Sequence, residues 1–190
     1  LQRKGVDSVK EREQLQETIR GTEKKPLPHM LAMTNLILHD IEAPTLRRDN
    51  SLAKPLRQYG PSDKVDAVLT NPPFGGKEPD GIERNFPQKY QTRETADLFL
   101  ALVFKRLKAG GEAAIVLPDG FLFGEGVKTN LKKTLLEEHN LHTIVRMPKG
   151  VFAPYTDINT NLLFFEKGPS TDEVWYFEHP LPEGYKQYTK

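Results

Sequence analysis

The chain has 190 residues, 37% of them hydrophobic and 28% charged, enough for one domain with a core and too apolar for wholesale disorder. Cysteine is absent, which excludes disulfides and thiolate metal sites, and the net charge of +1 neither requires nor excludes a nucleic-acid partner. No apolar run reaches membrane-spanning length and no signal peptide is visible, so the expected location is cytoplasmic.

In chain order, residues 1–18 carry mixed charge with sparse apolar positions (Val6, Val9, Leu15) and read as a polar linker or helix. The chain opens on Leu1 and a polar stretch that reads like the interior of a longer protein. Thr18 to Glu23 has the length of a short strand ending in an acid. Pro28 to Asp40 predicts an amphipathic helix, with Met30, Leu31, Thr34, Ile37 and Leu38 at helical spacing and proline in the first turn. "RRDNSL", from Arg47, fits a short strand and turn. Val65 to Leu69 is apolar and β-branched enough for a buried strand. Phe74 to Gln91, rich in Gly, Pro and charge, predicts a long irregular loop.

Glu94 to Gly111 is the clearest helix, with Leu98, Leu102 and Val103 on one face, basic residues near its end and a glycine stop. "EAAIVLPDGFLF" predicts a strand running into a loop, "TNLKKTLLEEHN" a helix, and "LHTIVRMP", "TNLLFFEKG" and "EVWYFEH" three more strands. Alternation of strands and helices predicts an α/β domain with a mostly parallel sheet. Ligands of such sheets sit beyond the carboxyl ends of the strands, where Asn71 to Phe74 falls.

Asn71-Pro72-Pro73-Phe74 carries specific chemistry. Asn71 offers a neutral carboxamide oxygen, and Pro72 a carbonyl on a backbone whose φ is fixed. Two rigid acceptors aimed at one point fit the two hydrogens of an –NH2 group. Holding both draws the nitrogen toward tetrahedral geometry and concentrates its lone pair, which an aromatic amine otherwise delocalises. Phe74 can stack on a planar base, and a base so enclosed must leave its duplex. The same four residues also make a stiff turn after a strand.

"DAVLTNPPF" resembles the catalytic motif of amino-group DNA methyltransferases acting on adenine. "GTEKKPLPHMLAMTNLILHDIE", "DNSL", "DAVLTNPPFGG", "TADLFLALVFKRLKAGGEAAIVLPDGFLFG" and "HTIVRMPKGVFAPYTDINTNLLFFEKG" come in the order seen in the modification (M) subunit of type I restriction-modification systems. The resemblance covers Thr18 to the C-terminus. It implies a Rossmann-like fold, S-adenosylmethionine as methyl donor, the N6 amine of adenine in double-stranded DNA as acceptor, and specificity and restriction subunits as partners. Independently of the resemblance, His29, His39, His139, His142 and His179 show no metal-ligand spacing and no apolar run spans a membrane, so no metal and no membrane are expected.

Residue by residue, Asn71 resembles the acceptor of the target amine, also against the cofactor, Pro72 its carbonyl partner, Pro73 the rigid support and Phe74 the stacking ring. Glu23 resembles the acid that holds the cofactor ribose, and Asp49 the acid that takes its adenine amine. A surface acid and a turn cap are the alternative readings of these two. Phe152 is a candidate second cover for the flipped base, with core packing as the alternative, and Lys77 a candidate DNA contact. Asp66 reads as structural.

The resembling family places a glycine-rich cofactor loop and a first strand before the Glu23 strand, and neither is present. "FGEGV", Phe123 to Val127, comes after the catalytic motif instead. The expectation is a partial methyltransferase domain over residues 1–190, without the family's N-terminal helical domain and C-terminal helices. Such a chain is expected to be inactive alone and to leave strand edges unpaired. Two rival functions are a methyltransferase acting on RNA or protein glutamine, and a non-catalytic DNA-binding or assembly module. The second would use Lys77, Arg84 and Lys89 with Phe86 and Tyr90 for phosphate contact and base stacking.

Overall fold

The computed structural model describes residues 8–41 and 43–185. Residues 1–7 of the expected polar linker, and the last five residues of the chain, lie outside the described residues. The chain divides into two compact units, Leu1–Lys54 and Pro55–Lys190.

In the first unit, helix α1 (Val9–Thr18) starts at a capping box in which Ser8 and Glu11 satisfy each other's backbone N–H groups. Strands β1 (Arg20–Glu23) and β2 (Thr45–Arg48) form a two-stranded parallel sheet, joined through helix α2 (Pro26–Leu38). The expected apolar face of α2 is present in sequence but not covered. Met30, Leu31, Ile37 and Leu38 are all exposed, because two four-residue strands offer too little surface to bury a helix face.

The second unit holds a five-stranded sheet in the order β3-β4-β6-β5-β7. Its strands are β3 (Val65–Thr70), β4 (Leu107–Pro118), β5 (His139–Arg146), β6 (Thr160–Lys167) and β7 (Trp175–Glu178). Pairings β3–β4 and β5–β7 are parallel, and β6 runs antiparallel between β4 and β5. Four strands therefore present their carboxyl ends on one side. The core alternates along β4, where Leu107, Ala113, Ile115 and Leu117 are buried. Against it pack Leu98, Leu102 and Val103 of helix α3 (Thr95–Arg106), with Leu131 and Leu135 of helix α5 (Val127–Glu137) also buried. A short helix α4 (Asp119–Phe123) stands where a loop is expected.

Two further expectations are corrected. Helix α3 ends at Arg106, and the Ala109–Gly111 "stop" lies inside β4 instead. There a bulge sets Val65 opposite Leu107 but Ala67 opposite Glu112. Gly110 has φ +71°, and a Cβ on Gly111 would sit 3.0 Å from the Asp66 carbonyl oxygen, so the bulge needs both glycines. The Phe74–Gln91 segment is ordered rather than irregular. It contains 3-10 turns at Ile82–Asn85 and Gln88–Tyr90 and buries Phe86 (4% exposed) and Tyr90 (6%). Its ends are tied by Thr95 N to Gly76 O (3.0 Å) and Glu78 N to Arg93 O (2.8 Å).

The expected burial of β3 is also corrected: none of its six residues is buried and Leu69 is 85% exposed, because β3 is the edge strand of its sheet. No helix among the described residues is long and apolar enough to cross a membrane.

Candidate active site

Strand β3 delivers Asn71 directly beyond its carboxyl end, because two prolines cannot continue a ladder. Asn71 is exposed, Pro72 buried, Pro73 exposed and Phe74 half-buried. The carboxamide is thus held out on a backbone whose next residue is packed. Behind it, Gly76 lies against Thr95, whose hydroxyl donates to Glu78 Oε1 (3.3 Å). Asp66 pairs with Lys108 Nζ (2.8 Å), and this hydrogen bond holds its carboxyl below the usual range.

The Phe74 ring meets Phe152 edge-on, with centroids 5.4 Å apart and planes at 65°. Phe152 comes from the loop between β5 and β6, so two segments far apart in sequence supply the pair. Two successive turns shape that loop, Ala153 N to Gly150 O (3.0 Å) and Tyr155 N to Phe152 O (2.9 Å). Lys77 is exposed and forms an isolated bridge with Glu94.

Glu23 and Asp49 fall together in the first unit. The β1–β2 register pairs Glu23 with Arg48, and Asp49 N donates to Glu23 O (3.2 Å), so both acids lie at one carboxyl end. Glu23 Oε1 accepts from Lys25 N (2.7 Å) and Asp49 Oδ1 from Asn50 N (2.7 Å). Asn71 belongs to the second unit with the rest of its motif.

The basic-aromatic platform on the Phe86–Tyr90 segment does not exist as expected. Both rings are in the core, and the Tyr90 hydroxyl is hydrogen-bonded with Thr134 Oγ1 (2.6 Å). Lys89 lies over the Tyr90 ring and beside Glu138, so its charge is already engaged.

A cluster missed in the sequence lies beyond β4. Asp119 accepts from Arg146 Nη1 (3.0 Å) and Nη2 (2.8 Å) and from Asn161 Nδ2 (2.7 Å). The signal was available: "AIVLPD" places Asp119 after its strand as "AVLTN" places Asn71.

Residues 2–190 match the family model described as N-6 DNA Methylase. The chain belongs to the N-6 DNA methylase family. It is 59% identical over 186 residues to the type I restriction enzyme EcoEI methylase subunit of Escherichia coli, covering 97% of this chain and 38% of that protein. It is 34% identical over 172 residues to the EcoKI methylase subunit of E. coli K12, covering 83% of this chain and 31% of the other. Among solved structures, a Vibrio vulnificus YJ016 protein described as a modification subunit of a type I restriction enzyme superposes with a TM-score of 0.93 at 51% identity. That match covers all of this chain and 41% of the other. This member of the N-6 DNA methylase family therefore spans between about a third and two-fifths of the length of these relatives, and its fold is that of a methyltransferase domain in part.

Proposed function

We propose that this chain is the acceptor-side portion of a type I modification subunit. In that reading the parent protein moves a methyl group to the N6 amine of a flipped-out adenine in double-stranded DNA. The observation that carries it is the exposed Asn71 carboxamide beyond β3, succeeded by a Phe74 ring facing Phe152. Asn71 Oδ1 and the Pro72 carbonyl accept the two hydrogens of the amine and localise its lone pair. Phe74 and Phe152 hold the base by its faces, and a planar guest entering between them has to part them. Methylation raises the acidity of the nitrogen, so its proton leaves to water without a dedicated base on the chain.

S-adenosylmethionine would supply an electrophilic methyl group. Glu23 and Asp49 fit its adenosine end, because two carboxylates at one strand end suit ribose hydroxyls and an adenine amine. Nothing in β1 or β2 supplies a cradle for its methionine end, and we infer that this chain alone transfers no methyl group. Specificity and restriction subunits complete the system, and Lys77 contacts the DNA backbone.

The test is methyl transfer from labelled S-adenosylmethionine by the full-length polypeptide with its specificity subunit, offered DNA, RNA and protein acceptors. DNA alone accepts label, on adenine. Asn71→Ala abolishes transfer while cofactor affinity stays within about twofold; activity retained by that variant refutes the role of Asn71.

A further inference from the structure

The Phe152 loop hangs between β5 and β6, and its stem is held at one rung. Arg146, the last residue of β5, pairs in register with Asn161 of β6, and Met147 N donates to Thr160 O (3.0 Å) just beyond. Asp119, arriving from β4, grips both sides of that rung. Its carboxylate takes the two Arg146 guanidinium N–H groups and the Asn161 amide, and its own N–H donates to Asn159 O (2.9 Å). One residue thereby joins the two rails of the loop to the strand next to β3.

We propose that Asp119 is a positioning residue for the methyl-transfer reaction, locking the stem so that Phe152 stays against Phe74. The proposal rests on the reading of Phe152 as a base-stacking ring. Asp119 touches neither base nor cofactor in this scheme; it acts through the loop. A bidentate carboxylate–guanidinium pair fixes orientation as well as distance, which a single hydrogen bond does not. No other carboxylate is hydrogen-bonded to Arg146 among the described residues.

The experiment uses the full-length polypeptide assembled with its specificity subunit and a duplex carrying 2-aminopurine at the target adenine. Fluorescence reports the base leaving the stack, and methylation of unlabelled duplex gives kcat and KM. Phe152→Ala weakens capture of the base by roughly tenfold or more, the scale of one lost stacking contact. Asp119→Asn keeps one acceptor but turns an N–H donor toward the guanidinium, and weakens capture by roughly three- to tenfold. The decisive variant is the double. If Asp119 works through Phe152, Asp119→Asn adds less than twofold once the ring is gone. Arg146→Lys, which keeps charge but loses the fork, reproduces the Asp119→Asn defect and serves if that variant does not fold.

Multiplying effects in the double variant overturn the inference and leave the stacking role of Phe152 intact. Unchanged capture in both Asp119→Asn and Arg146→Lys overturns it as well. Unchanged capture in Phe152→Ala overturns the stacking role and the inference together.

Discussion

Lys128→Met is expected to destabilise the chain strongly at neutral pH and weakly at mildly acidic pH. Lys128 sits in the first turn of α5 with its side chain 13% exposed, and its ammonium lies 2.6 Å from the Asp97 carboxylate, whose side chain is 3% exposed. Glu94 is its second partner, but that carboxylate is exposed and adds little. Burial pushes the Asp97 carboxyl above the usual range, with the Lys128 ammonium pulling it back. Removing one partner of a buried pair costs about 3–5 kcal/mol, because the other charge is stranded.

Asp97 has an escape, which is to take up a proton. With a reference pKa of about 3.9, holding it protonated costs about 4 kcal/mol at pH 7 and about 1.5 kcal/mol at pH 5. The loss is therefore about 3–4 kcal/mol at pH 7, a fall in Tm of about 10 °C for a chain this size. Linkage gives the sign. A carboxyl whose folded pKa lies above its unfolded value makes the folded state bind more protons, so stability falls as pH rises through that window. Thermal unfolding of wild type and variant from about pH 5 to pH 7.5 reads the gap, and Lys128→Met/Asp97→Leu closes most of it. A gap that does not change with pH, or one below about 1 kcal/mol at pH 7, refutes a stranded carboxylate.

Phe74→Ala raises KM for DNA by roughly tenfold or more, the scale of one stacked base, while S-adenosylmethionine affinity measured by calorimetry on the full-length protein is unchanged. A loss confined to cofactor binding would move Phe74 to the other pocket. His139 is buried between Phe104 and Phe165 with Nδ1 against Thr134 O (3.2 Å), and burial lowers its pKa, the Lys167 charge acting in the same direction. The unfolded state then binds the extra proton, so stability falls as pH drops below about 6.5. His139→Leu flattens the pH dependence of Tm across that range; an unchanged slope assigns it to other groups.

Strand β3 and the Asn71–Phe74 motif are legible in the sequence because their signals are local. Six residues, Val65–Thr70, three of them β-branched, lead to Asn71, and two prolines fix the backbone beyond it, so neighbours have little to decide. The periodicity of α2 identifies its apolar side and wrongly suggests a buried one, since a pattern does not say whether anything covers it. The Phe74–Gln91 segment misleads through composition. Its glycines and prolines form compact turns around Phe86 and Tyr90, and the cross-link from Gly76 to Thr95 is a long-range fact. Gly110 and Gly111 likewise read as a helix stop because the close approach of the Asp66 carbonyl comes from another strand.

In the proposed acceptor site the two halves have opposite mechanical requirements. Acceptors for an amine act through fixed geometry, since hydrogen bonds aimed in advance need no reorganisation when charge develops. Asn71 meets that need: a buried proline comes next in the chain, and the segment behind it is pinned to α3 through Gly76 and Thr95. A stacking pair has the contrary need, because the edge-on contact of Phe74 with Phe152 must open for a base to enter. Phe74 is on the pinned segment, so opening falls to Phe152, whose loop is built of turns at its tip and carries an exposed Tyr155. A loop that opens and returns to the same place needs a firm base, and the rung beneath it is where a carboxylate, a guanidinium and an amide converge. Rigidity at Asn71 and restrained freedom at Phe152 are thus separate requirements of the proposed reaction, met by separate strand ends.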